Sequence, residues 1–177
     1  ALGQPDSSRT SGLQAVALRT ADGADETLFE SCRFIGWQDT LFLDAGRHYL
    51  RGCTVSGHVD FIFGSGQAVF DRCTIICRDR TVADGEPEGF VCAPSTKSPA
   101  RFGFFFSGCR VVKESEAVGR SSYCLGRPWH PSGATDVNPS ACFKECFLDD
   151  HIRAEGWTSM HSRTPDGAER RWYPEES

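Results

Sequence analysis

The chain has 177 residues, with 19 Lys and Arg against 24 Asp and Glu for a net charge of −5, and it carries nine cysteines. That length holds one sizeable core, so a single domain spanning 1–177 is expected. Without a basic run there is no electrostatic footprint for nucleic acid and nothing to draw the chain to an acidic membrane surface. No apolar run reaches the ~18 residues of a membrane helix, and the opening Ala1-Leu2-Gly3-Gln4-Pro5-Asp6 lacks the charged and apolar parts of a signal peptide.

Residues 1–12 are rich in Ser, Gly, Asp and Pro and read as an irregular lead-in. Leu13 to Leu18 is a short apolar run interrupted by Gln14, expected to be a buried strand. After a turn at Gly23–Glu26 a pattern recurs, in which a large apolar residue stands three before a cysteine and another apolar residue two after it. The copies are Phe29-Cys32-Phe34, Leu50-Cys53-Val55, Phe70-Cys73-Ile75, Phe106-Cys109-Val111 and Phe143-Cys146-Leu148. The cysteine spacings are 21, 20, 36 and 37. Glycines between the apolar alternations favour short strands over helices. A strand and turn unit of ~20 residues repeating in register predicts an all-β parallel β-helix, its coils stacked at ~4.8 Å, with the two longer spacings carrying loops.

Stacking has two consequences. The equivalent cysteines form a ladder whose ~4.8 Å step falls within disulfide reach, so either Cys53 bridges Cys73, or Cys32 bridges Cys53, or the thiols stack reduced. Zinc fits poorly, because there is no Cys-x-x-Cys and the pairs Cys73/Cys77 and Cys142/Cys146 lie in strand-like runs with no matching His pair. The second consequence concerns Asp39 and Asp60. Each follows a ladder cysteine by seven residues and a glycine by three (Gly36, Gly57), so the two carboxylates fall on adjacent coils facing the same way.

Further along, Arg78 to Pro99 reads as a long loop around one short strand, Phe90-Val91-Cys92, and Arg101 to Val112 resumes the strands. Ser121 to Pro131 leaves a strand and turns, placing Arg127 and Trp129 on a loop held by two prolines. Ala141 to Asp149 is the last regular rung. Residues beyond it read as a polar tail with aromatic anchors, and the absence of evident caps suggests a chain incomplete at both ends.

Two carboxylates a few ångströms apart do not both ionise at neutral pH, so the pair supplies a proton donor beside a charged nucleophile or base. An arginine near one of them decides which is which, and Arg127 is the candidate. Gln38, adjacent to Asp39, and Gln14 are neutral donors suited to an oxyanion. Taken singly these residues are more readily a turn carboxylate, a surface amide and a salt bridge than catalytic groups; the constellation favours chemistry.

Four segments, Gln14 to Leu18, Gln38-Asp39-Thr40-Leu41, Asp60-Phe61-Ile62-Phe63-Gly64 and Leu125-Gly126-Arg127-Pro128-Trp129, resemble in order and spacing the signature motifs of the pectin methylesterases. The resemblance runs from about Gln14 to Trp172. It implies a right-handed parallel β-helix that de-esterifies methylated galacturonan without metal or organic cofactor, secreted to the cell wall and working as a monomer. It makes Asp60 the nucleophile, Asp39 the acid and then the base, Gln38 and Gln14 the oxyanion donors, and Arg127 the group that orients Asp60. Phe63 and Trp129 would stack on the sugar, and Met160 matches a substrate-contacting position of bacterial members.

The family's early Gly-x-Tyr-x-Glu motif and its final helical segment are absent, while His58 and Asp44 are milder departures that bear on substrate preference or local pKa. Against the esterase stand a β-helical pectin glycoside hydrolase or lyase, since paired aspartates at ~6.5–9.5 Å also serve inverting glycosidases, and a non-catalytic carbohydrate-binding module using Trp129, Phe63 and Trp157. The glutamines beside the acids favour acyl transfer, and a serine esterase is disfavoured by the lack of Gly-x-Ser-x-Gly.

Overall fold

The structure, a computed structural model, describes residues 14–174, so the expected lead-in and Leu13 lie outside the described residues. The chain winds through strands Leu18–Thr20 (β1), Thr27–Glu30 (β2), Arg33–Ile35 (β3), Leu41–Leu43 (β4), Arg47–Arg51 (β5) and Thr54–Gly57 (β6). It continues through Val59–Gly64 (β7), Gln67–Asp71 (β8), Thr74–Cys77 (β9), Gly89–Pro94 (β10), Phe104–Ser107 (β11) and Arg110–Lys113 (β12). Tyr123–Gly126 (β13), Ala141–Lys144 (β14), Phe147–Leu148 (β15), Met160–Arg163 (β16) and Glu169–Trp172 (β17) complete it.

Every third strand returns to the same sheet. The orders β1-β4-β7-β10-β13, β2-β5-β8-β11-β14 and β3-β6-β9-β12-β15 make three parallel five-stranded sheets, the parallel β-helix expected from the repeat. The register follows the cysteine ladder. Phe29, Leu50, Phe70, Phe106 and Phe143 stand opposite one another through the second sheet. Phe34, Val55, Ile75, Val111 and Leu148 do so through the third.

Most of these side chains point inward and form the core: Leu50, Val55, Phe70, Ile75, Phe106 and Val111 are fully buried. Phe70, Phe106 and Phe143 stack face to face with centroids 4.4 and 4.2 Å apart, full burial of Phe70 and Phe106 stabilising the column by roughly 1.5–3 kcal/mol each. The turn between the second and third sheets is built the same way each time. The residue before each ladder cysteine is left-handed: Ser31 (φ 54), Gly52 (φ 58), Arg72 (φ 49), Gly108 (φ 60) and Glu145 (φ 55).

The disulfide alternative is not realised. All nine cysteines are free, Cys53 and Cys73 included. Four of the five ladder thiols instead donate to a carbonyl of the preceding coil, Cys53 to Phe29 O (3.4 Å), Cys73 to Leu50 O (3.3 Å), Cys109 to Phe70 O (3.2 Å) and Cys146 to Phe106 O (3.4 Å), while Cys32 donates to Glu30 O at 3.5 Å. That hydrogen bonding fits reduced, stacked thiols.

Three elements differ from expectation. Residues Ala15 to Ala17 are exposed rather than a buried strand; β1 starts only at Leu18 and, among the described residues, pairs with β4 alone. The short strand expected at residues 90–92 is the six-residue β10, wholly buried and hydrogen-bonded to both β7 and β13. The polar tail contains an antiparallel hairpin, β16 with β17, closed by the turn Thr164-Pro165-Asp166-Gly167.

Candidate active site

The site sits on the first sheet, where the coil enters β4 and β7. Register carries Leu41 opposite Ile62 and Phe42 opposite Phe63. Counting back two residues sets Asp39 beside Asp60, and the Asp39 amide donates to Val59 O at 3.1 Å. Both aspartates are left-handed, with φ of 60° and 49°, a conformation that Asp adopts more readily than most residues. The glycines three residues earlier are required by close approach. A Cβ on Gly57 would lie 2.3 Å from Phe61 Cβ and 2.5 Å from Trp37 O, and one on Gly36 would lie 2.5 Å from Thr40 Oγ1. The repeat thus delivers two equivalent carboxylates, and their surroundings make them unlike.

Asp60 is buried and gripped by Arg127 through two parallel bonds, Nε to Oδ1 at 2.8 Å and Nη2 to Oδ2 at 2.6 Å. This fork geometry fixes the carboxylate as well as pairing its charge. Arg127 is itself held: its backbone amide donates to Cys92 O at 3.1 Å and its guanidinium lies 4.0 Å over the Phe90 ring. Asp39 has no such clamp. Burial, together with the negative charge of Asp60 and against the opposing pull of Arg127, pushes its carboxyl up to about 7. A charged, oriented carboxylate therefore adjoins one that holds a proton near neutral pH, the division of labour needed for nucleophilic attack with proton transfer.

Gln38 precedes Asp39, and Gln14 pairs with Gln38 through an isolated parallel bridge, so the two amides occupy one column on coils adjoining the acids. Phe63 stacks on Phe42 with centroids 4.3 Å apart and planes 7° off parallel, and Trp129 meets both edges-on at 5.6 and 6.2 Å. Together they form an aromatic strip beside the acids. Trp129 is anchored by its amide to Pro94 O at 3.0 Å.

Met160 opens β16 opposite Trp172, whose ring stacks on His130 at 3.7 Å; it reaches the Trp129 loop through that hairpin. Trp157 packs toward Phe143 against the core, away from the strip. His58 is buried and accepts from the Val59 amide at 2.8 Å, and burial with the charges of Arg80 and Arg78 lowers its pKa to about 4. It is a neutral ring beneath the site at neutral pH.

Phe42 and Phe90 were not among the expected site residues. Phe42 was legible, since it stands three after Asp39 as Phe63 stands three after Asp60. Phe90, on β10, meets Arg127 from the adjoining coil, and nothing in the local sequence announces that contact.

Comparison with known proteins completes the description. The family model described as Pectinesterase matches residues 6–175. Pectinesterase A of Dickeya chrysanthemi is 38% identical over 181 residues, covering 97% of this chain and 49% of its own length. Pectinesterase 31 of Arabidopsis thaliana is 39% identical over 146 residues, covering 81% of this chain and 40% of its own length. Among solved structures, a pectin methylesterase in complex with a hexasaccharide superposes with a TM-score of 0.89 at 35% identity, over 98% of this chain and 53% of that one. The pectin methylesterase from Yersinia enterocolitica gives 0.86 at 37%, over 97% and 55%. The chain spans about half the length of the curated bacterial relative it matches.

Proposed function

Because this chain belongs to the pectinesterase family, we propose that residues 1–177 act as one β-helical domain that hydrolyses methyl esters of galacturonate in pectin, releasing methanol and leaving carboxylate. The observation that carries the reading is the asymmetry of the acids: Asp60 clamped by Arg127, Asp39 unclamped and raised to about 7. An oxygen of Asp60 attacks the ester carbonyl carbon, and the amides of Gln38 and Gln14 donate to the oxyanion that forms. The bond to the methoxy oxygen breaks as Asp39 passes its proton to that oxygen, freeing methanol and leaving the galacturonyl group on Asp60. Asp39, now ionised, takes a proton from water; the hydroxide adds to the same carbonyl and Asp60 departs as carboxylate.

Phe63 and Trp129 offer flat faces to the C–H faces of the sugar, with Met160 on the neighbouring hairpin. The substrate places the activity outside the cell, at the cell wall, and the chain is read as a monomer. Supplying the full chain with highly methylated pectin tests this, by assaying methanol, acid and reducing ends together. Methanol and acid in equal amounts without new reducing ends is the expected result; new reducing ends would point to a glycosidase or lyase, and no product to a binding module.

A further inference from the structure

The aromatic strip ends on a charge. In β1 and β4, Arg19 stands opposite Phe42, which stands opposite Phe63, so the three share one row of the first sheet. The Arg19 guanidinium lies 5.1 Å from the Phe42 ring centroid. Its Nε and Nη2 both donate to a single oxygen of Asp44, Oδ2, at 3.1 and 2.5 Å. Among the described residues Nη1 makes no hydrogen bond, so one edge of the fork remains open. The two side chains are 57% and 26% exposed, and an ion pair so placed is held only weakly. A ligand carboxylate can compete for such an arginine at little loss.

Arg19 is two coil steps from Phe63, ~10 Å along the stack. A galacturonate held over Phe63 and Trp129 therefore brings a neighbouring ring toward Arg19. The reaction itself turns an uncharged ester into a carboxylate, so neighbouring rings differ in charge according to whether they have already been processed.

We infer that Arg19, partly neutralised by Asp44, is a specificity-determining residue that favours polymer in which the ring next to the reacting ester already bears a free carboxylate. This rests on the esterase reading above. Asp44 sets the strength of the preference: it leaves the row near neutral, so fully esterified pectin is still accepted and acidic product is not retained. Removing either partner moves the preference in opposite directions.

The test compares kcat/KM for methanol release from two hexagalacturonates, one fully methyl-esterified and one with a single interior ester flanked by free carboxylates. Arg19→Ala is expected to lower the ratio of acid-flanked to fully esterified substrate by about 3–10-fold, the scale of one exposed charge-assisted contact. Arg19→Lys should keep most of the ratio, and Asp44→Asn should raise it about 3-fold by exposing the guanidinium. These differences should shrink as salt is added. A ratio unmoved by Arg19→Ala and Asp44→Asn overturns the inference, as does an equal loss on both substrates, which would assign Arg19 to the shape of the strip. Absence of methanol from either substrate with the unsubstituted chain marks failure of the esterase reading itself, and the inference falls with it.

Discussion

Two arginine–aspartate pairs in this molecule have nearly the same geometry and opposite standing. Arg127 grips Asp60 at 2.8 and 2.6 Å on the first sheet; Arg47 grips Asp25 at 3.0 and 2.6 Å on the second. The first pair is 22% and 9% exposed, the second 57% and 47%. Around Asp25 the other acid, Glu26, is drawn to the same arginine, and on this face Arg51 with Glu30 is likewise an exposed link between neighbouring coils. Around Asp60 the second acid, Asp39, has no cation of its own among the described residues, and its carboxyl is pushed up to about 7. Fork geometry alone therefore does not set a pair apart; burial beside an unpaired acid does. The apolar hollow of ≈ 510 Å³ on the second sheet, lined by Val69, Phe102, Phe105 and Cys142 among others, has no Asp or Glu in its lining.

Cutting the two pairs should separate them most widely. Arg127→Ala leaves a buried carboxylate without its partner, a loss of about 3–5 kcal/mol in stability and of most methanol release, whereas Arg47→Ala should change stability by no more than ~1 kcal/mol and leave activity intact. Denaturant titration and the methanol assay read both. Arg127→Lys keeps the charge and loses the fork, so activity should fall by about 10²-fold with a smaller loss of stability.

How much of this the sequence disclosed follows from how local each feature is. The ladder was readable because Phe29, Leu50, Phe70, Phe106 and Phe143 repeat the same offset from a cysteine, and an offset is a local property. The adjacency of Asp39 and Asp60 came from the same offset. Arg127, by contrast, is 67 residues from Asp60; its constrained loop makes it a candidate, and the family resemblance alone assigns it to Asp60. Strand β10 looked shorter than it is because a strand buried along its whole length has no polar alternation to mark its ends. The β16–β17 hairpin was legible in Thr164-Pro165-Asp166-Gly167, a turn signal, but its polar strands concealed it. The thiol pairing was left open by sequence, because coil spacing fixes the separation of the cysteines and not the direction in which each thiol points.

Asp39 gives a prediction in pH. Its folded pKa, about 7, lies above the ordinary 3.8; under the proposed mechanism the proton passed to methanol is present below that value, so kcat/KM should fall as pH rises through about 7, and Asp39→Asn should abolish that limb. The sign for stability is the same. A raised pKa means that the folded state binds the extra proton, so this contribution is full below about 3.8 and is lost as pH rises through about 7. Chemical denaturation of the parent and of Asp39→Asn across that window measures it.

A smaller effect is expected at Trp172, a positioning residue. Its ring stacks on His130 at 3.7 Å, and its Nε1 donates to Ser162 Oγ at 2.7 Å, tying the hairpin to the loop that carries Arg127 and Trp129. Trp172→Ala should raise KM by about 3–10-fold with a lesser change in kcat, through misplacement of Trp129; Trp172→Phe should restore most of it. Smallest of all, Glu145→Gly relieves a left-handed residue at the ladder turn (φ 55) and should stabilise the last rung by up to ~1 kcal/mol, seen as a modest rise in Tm and no change in activity.

The division of roles between the two acids is tested most directly by methanol release from highly methylated pectin by Asp60→Asn, with circular dichroism confirming the β-helix. A fall of about 10³-fold or more, the scale of losing a nucleophile, is expected, with methanol release by the parent intact under the same conditions. Full methanol release by a folded Asp60→Asn protein would contradict it.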